Sequence, residues 1–189
     1  MPLILTPKEL DAVKRHAIEE YPRESCGVIL ERAGLRRLLR CRNIQDELHA
    51  KDPERHPRDA RTAYYIDPQD LLMMGRLESE GFQVAAIYHS HVDAQERGGG
   101  TGAYFSESDR QQALLGGQPM YPKATYLVTS VVGGQVEAVT AFRWRAKEGG
   151  FHRLEIRAPG RGWHERAAVA AGRAWAWLHH FTLGERKLR

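Results

Sequence analysis

Apolar positions recur along this chain in two periods, one helical and one alternating, and they mark out helices and strands in turn. Thr6-Pro7-Lys8-Glu9 is a helix start, with Thr6 as cap, Pro7 at the first position and Glu9 closing a capping box. Leu10, Val13 and Ala17 follow at helical spacing, and the helix is expected to stop before Pro22. Cys26-Gly27-Val28-Ile29-Leu30 reads as a buried strand, with residues 35–42 as its partner after a turn at Ala33-Gly34. Residues 43–61 are polar, contain Pro53 and Pro57, and read as a loop. A strand is expected at 63–66, then a helix opened by Asp67-Pro68 and running to about Glu80. Leu71, Leu72, Met74 and Leu77 should form its apolar surface, and Gly81 should end it. A strand over 83–89 precedes a helix from Ser106 to Gly116-Gly117. Residues 125–132 and 135–144 flank Gly133-Gly134 as a hairpin, and 151–156 reads as a last short strand. Residues 165–181, rich in alanine and tryptophan, should be helical. This order of elements predicts an α/β fold, a mixed sheet with helices packed on it.

Composition narrows the picture a little. At 189 residues the chain is long enough for one domain with a substantial core. It is 42% hydrophobic and 28% charged, as expected of a soluble globular protein. No apolar run is long enough to cross a membrane and the first residues do not read as a signal peptide. Two cysteines, Cys26 and Cys41, imply no disulfide framework, and a cytoplasmic location is expected. The net charge of +4 is scattered rather than interleaved with aromatics, so neither a nucleic acid nor a membrane is expected as a partner.

The candidate chemistry lies at the end of the apolar run at 84–88. His89 and His91 are two apart, so in a strand both imidazoles point to one face and Ser90 to the other. Asp109, from a separate element, offers a third ligand, and three protein ligands plus water is the pattern of a catalytic zinc. Each residue also has a purely structural reading. The histidines could be a polar strand end, Asp109 the capping-box partner of Ser106, and Glu24 a surface carboxylate after a helix. Cys26, at the start of an apolar strand, reads as a buried thiol rather than a nucleophile, and Cys41 has no visible partner.

Taken together, His89-Ser90-His91 and Ser106-x-x-Asp109 resemble the JAMM signature, His-x-His-x7-Ser-x-x-Asp, of the MPN+ (JAB/Mov34-type) zinc metallopeptidases. Glu24, just before the first buried strand, matches the upstream glutamate of that family, and the compact chain looks most like its short bacterial-type branch. The resemblance implies a single MPN/JAB-like domain over 1–157, a mixed sheet flanked by helices in a cytidine-deaminase-like sandwich, with a helical extension at 158–189. It implies one Zn2+ per chain on His89, His91 and Asp109, Glu24 as general base and proton donor, and Ser106 as oxyanion stabiliser. It implies hydrolysis of a peptide or isopeptide bond next to the C-terminal Gly-Gly of a small ubiquitin-like (β-grasp) sulfur carrier of the ThiS/MoaD type. The alternatives are a deubiquitinase-like isopeptidase, a non-catalytic MPN-type scaffold and a nucleic-acid-processing relative of the same fold.

The chain departs from the signature in two places. Fourteen residues, 92–105, separate His91 from Ser106 where the signature has seven, and the surplus falls in a glycine-rich excursion at 95–102. Val92 stands where the family has proline. Tyr104-Phe105 is expected to re-anchor the chain by burying aromatic surface. The tryptophans of the extension, Trp163, Trp175 and Trp177, suit either packing on the core or a homodimer contact.

Overall fold

The computed structural model describes residues 3–96 and 100–157. Six strands form one mixed sheet in the order β3-β2-β4-β7-β8-β9. They are β2 (Cys26–Arg32), β3 (Leu35–Cys41), β4 (Gln83–Val92), β7 (Thr125–Val132), β8 (Gln135–Arg145) and β9 (Gly150–Leu154). Only β4 and β7 run parallel; every other neighbouring pair in this sheet is antiparallel. Two short ribbons complete the strands: β1 (Leu3–Ile4) with β10 (Ile156–Arg157), and β5 (Leu114–Leu115) with β6 (Gln118–Pro119). The helices are α1 (Pro7–Glu20), α2 (Gln45–Lys51), α3 (Pro68–Ser79) and α4 (Glu107–Ala113). The fold is therefore the expected α/β type, a mixed sheet with helices.

The period-2 pattern divides the core between the two sheet faces. Val28, Leu30, Tyr126 and Val128 join Phe105, Phe142 and Phe151 in one cluster. Their sequence neighbours Ile29 and Leu127 pack with Val13 and Tyr88 in the other. α1 starts as its sequence requires: Thr6 Oγ1 accepts the Glu9 amide at 3.1 Å, and the Glu9 carboxylate accepts the Thr6 amide at 2.7 Å. The glycine hairpin between β7 and β8 also forms, with Gly133 and Gly134 both at positive φ.

Several expectations are corrected. The polar stretch 43–61 is not simply a loop, because it contains α2, whose one buried residue is Gln45. With its anchoring done by polar side chains, that helix carries no apolar stripe for a periodicity to reveal. Residues 63–66 form no strand; only Ile66 makes a bridge, to Asn43. α4 stops at Ala113, because the chain turns into the β5–β6 ribbon and Gly116 and Gly117 serve as its turn. The last strand is split into β9 and β10. Leu77 is the one buried residue of α3, whereas Leu71 and Leu72 are 42% and 67% exposed. Cys41 lies opposite Cys26 in the β2–β3 ladder, yet both are buried free thiols, as expected. The expected helix at 165–181 lies outside the described residues, as does the rest of the 158–189 extension. Among the described residues no helix is long and apolar enough to cross a membrane.

Candidate metal centre

The end of β4 brings His89 and His91 to one side of the strand and Ser90 to the other, as strand geometry requires. The imidazoles meet Asp109, the third residue of α4. His89 Nε2 lies 3.2 Å from His91 Nε2 and 3.3 Å from Asp109 Oδ1, and His91 Nε2 lies 3.4 Å from Asp109 Oδ2. All three side chains are buried. Among the described residues they form the one group of histidine, cysteine or carboxylate side chains able to hold a metal ion. The capping reading of Asp109 is equally true: Ser106 Oγ accepts the Asp109 amide at 3.2 Å, and Asp109 Oδ2 accepts the Ser106 amide at 2.7 Å. Capping and ligation coexist because the cap fixes the carboxylate while leaving Oδ1 facing His89.

The long link between the two halves of the motif does not keep Asp109 away; it supplies part of the centre. His91 Nδ1 donates to the Gly102 carbonyl at 2.8 Å. In the neutral ring that leaves the lone pair on Nε2, the form a metal needs. Gly102 has no room for a side chain, since a Cβ there would stand 2.5 Å from the Ala94 carbonyl oxygen and 2.6 Å from Ser130 Oγ. Tyr104 sets its ring 5.0 Å from that of His91. Phe105 is buried against Phe142, Tyr126 and Phe151, with ring centroids 4.8–5.4 Å apart, so the expected re-anchoring is observed. Tyr64 stacks on His89 at 4.8 Å and 27°. His89 Nδ1 is buried and finds no hydrogen-bond partner among the described residues.

Glu24 reaches the same place from the opposite side. Its amide donates to the Ala60 carbonyl at 2.7 Å and its carbonyl accepts from Asn43 Nδ2 at 2.9 Å. Ser90, turned away from the histidines, holds the next residue: its Oγ accepts the Ser25 amide at 2.8 Å. Glu24, His91, Ser106 and Asp109 line one small pocket with Tyr64 and Gln112. The surface-carboxylate reading of Glu24 is thus corrected; the side chain is 5% exposed. Burial pushes its carboxyl up to about 8, with His91 opposing and Asp109 adding to the rise. Burial would also raise Asp109, but His89 and His91 outweigh it and hold that carboxylate far below its usual range. Burial would lower His91, yet the Asp109 hydrogen bond and the Glu24 charge bring it above its ordinary value.

Two imidazole nitrogens and a carboxylate converge on one point, an arrangement that a metal ion between them would satisfy. Their 3.2–3.4 Å separations match the edge, roughly 3.3 Å, of a tetrahedron with metal–ligand bonds of about 2.0–2.1 Å. The structure gathers the five residues that the sequence singles out: His89, His91 and Asp109 in one group, and Glu24 and Ser106 in the pocket that His91 and Asp109 share. The sequence reading is incomplete elsewhere. It missed Tyr64, read as part of a strand, and Gly102 and Asn43, whose roles depend on backbone contacts between segments distant in sequence.

Such a centre, on such a sheet, defines a JAB-type domain. The model of the prokaryotic homologs of the JAB domain matches residues 6–147, and the chain belongs to that family. It is similar to the tail tip assembly protein K of Escherichia phage N15, with 37% identity over 87 residues, 46% of this chain and 29% of that protein. It is also similar to a probable TtuB-protein conjugate cleaving protease of Thermus thermophilus, with 34% identity over 83 residues, 43% of this chain and 48% of that one. The matches thus span less than half the length of either curated relative. Among solved structures, protein DSY2949 from Desulfitobacterium hafniense superposes with a TM-score of 0.55 at 19% identity, over 86% of this chain and 97% of that one. A Salinibacter ruber protein does so with a TM-score of 0.52 at 26% identity, over 84% and 92%.

Proposed function

We propose that the protein is a zinc metallopeptidase that cuts the peptide or isopeptide bond following the C-terminal Gly-Gly of a ubiquitin-like sulfur-carrier protein. The observation carrying this reading is the convergence of His89, His91 and Asp109 beside a buried, pocket-lining Glu24. A donor set of two imidazoles and one carboxylate fits zinc, and these three residues would hold it. Zinc held there supplies Lewis-acid polarisation of a carbonyl and acidifies water.

The chain's own residues supply the remainder. Glu24, clamped through its backbone by Ala60 and Asn43, takes a proton from water and returns it to the leaving amine. A neighbouring dication favours the ionised form of Glu24, which counters the rise caused by burial. Ser106 Oγ already accepts the Asp109 amide, so its own O–H is free to donate to the developing oxyanion. The relative named for cleaving TtuB-protein conjugates supports a conjugate or carrier as substrate. Two buried, unpaired cysteines suit a cytoplasmic setting.

The test is Glu24→Gln. The variant should retain about one zinc per chain and lose cleavage of a Gly-Gly carrier extended at its C-terminus by at least about a hundredfold, within the range of general acid–base effects. Cleavage at the parent rate would refute the mechanism. The likeness to a tail tip assembly protein favours a second reading, a binding module without turnover. A metal-free protein whose stability is unchanged by chelator would support that reading instead.

A further inference from the structure

Beside the metal centre lies an apolar pocket of about 260 Å³ that the mechanism leaves unused. Leu71 and Met74 of α3 form one wall, and Met120 and Tyr121, after β6, form another. Its floor includes Val28 and Ile87 of the central sheet. Three residues, Tyr64, Asp109 and Gln112, line both this pocket and the small one containing Glu24 and Ser106. The apolar pocket therefore adjoins the place where a scissile bond would sit.

The pocket's chemistry defines its occupant. Among the described residues neither lysine nor arginine lines it, and the one carboxylate, Asp109, already faces the two histidines. The described lining therefore offers an anionic group no counter-charge. Tyr65, Leu71 and Met120 stand 46%, 42% and 51% exposed on its lining, so apolar surface is left open at the mouth of the site. Its volume lies below the roughly 300–1,000 Å³ of small-molecule sites and suits one or two side chains. Two methionines in the lining supply adaptable walls.

We propose that this pocket is a specificity site holding one large apolar side chain, of leucine, methionine or phenylalanine size, from the peptide that is cut. The side chain lies within about three residues of the scissile bond, because three extended residues span roughly 10 Å. Two glycines before the cut offer no side chain, so in a Gly-Gly substrate the occupant precedes the glycine pair or follows the cut. This inference rests on the peptidase reading for the identity of the ligand as substrate.

The experiment uses full-length Glu24→Gln protein loaded with zinc and a set of alanine-based peptides with a central Gly-Gly. A single leucine is moved through each flanking position, and binding is measured by calorimetry. One position should favour leucine over alanine by about tenfold or more. Leu71→Asp and Met120→Asp, both at exposed positions that the fold does not need, should each bring that ratio close to one. Leu35→Asp, at an exposed position on another part of the surface, should leave the ratio intact. Absence of any preferred position, persistence of the ratio in both pocket variants, or its collapse in Leu35→Asp would overturn the proposal. Turnover of the same peptides by the parent protein separates the two claims. A leucine preference in binding with no cleavage would refute the peptidase reading alone, and cleavage with no preference would refute the pocket alone.

Discussion

A ligand histidine is only as good as the atom that holds its far nitrogen. For His91 that atom is the Gly102 carbonyl, at the end of the glycine-rich excursion. Gly102→Ala forces a Cβ against the Ala94 carbonyl and Ser130 Oγ, so the backbone must shift and His91 with it. Disturbing such a supporting contact typically costs about 10- to 100-fold in metal affinity. Competition with a chromophoric chelator should show a loss of that size, with an unchanged circular dichroism spectrum. The convergence of the three candidate ligands was legible, because a strand places i and i+2 on one face and a cap places Asp109 at a rigid helix start. Gly102 was not. Its role is a carbonyl and an absence of side chain, and neither leaves a mark in residue type beyond glycine itself.

Among the elements, strands with apolar runs and helices with proline-marked starts could be read directly. α2 could not, because what fastens it is polar. Asn43 shows how. Its Oδ1 accepts the Gln45 and Tyr65 amides, each at 3.0 Å, and its Nδ2 donates to the carbonyls of Glu24 and Ala63. Gln45 Nε2 donates to Arg58, and the Ala60 amide donates to Asp46. This segment is the bracket on which Glu24 is mounted. Asn43→Ala strands several part-buried backbone groups at once, at about 1–3 kcal/mol for such a loss. Urea unfolding should register that drop. If the proposed peptidase reading holds, cleavage should fall further than stability explains, because Glu24 loses one of its two backbone anchors. The re-anchoring aromatic gives a second expectation. Phe105→Ala should cost about 3–5 kcal/mol in the same assay, since the ring is buried among three others.

For the molecule as a whole, the hairpins were legible and the sheet order was not. The parallel β4–β7 pairing joins strands separated by an entire helix and the excursion, and no local pattern encodes it. A global property follows from one buried group. His16 is 2% exposed, with Nδ1 3.0 Å from the Tyr88 hydroxyl, and burial lowers it from 6.5 to about 4, with Arg40 adding to the fall. The unfolded chain binds a proton near 6.5 and the folded one only near 4. Its contribution is therefore present above pH 6.5 and is lost as the pH falls toward 4, to an upper bound of roughly 3 kcal/mol. Urea unfolding at pH 7 and pH 4.5 should show a smaller loss for His16→Gln than for the parent; equal losses would exclude His16 as the source.

The two free thiols of β2 and β3 offer a different kind of readout. Cys26 and Cys41 face each other in the ladder, and burial pushes the Cys41 thiol up to about 12 and Cys26 higher still. A folded molecule therefore presents almost no reactive thiolate to a maleimide. Labelling must wait until these two strands part, so its rate times the opening of the strand that follows Glu24 directly. Followed with and without added zinc, that clock would register how firmly a metal at His89, directly opposite Cys26 in the ladder, holds the edge of the sheet closed.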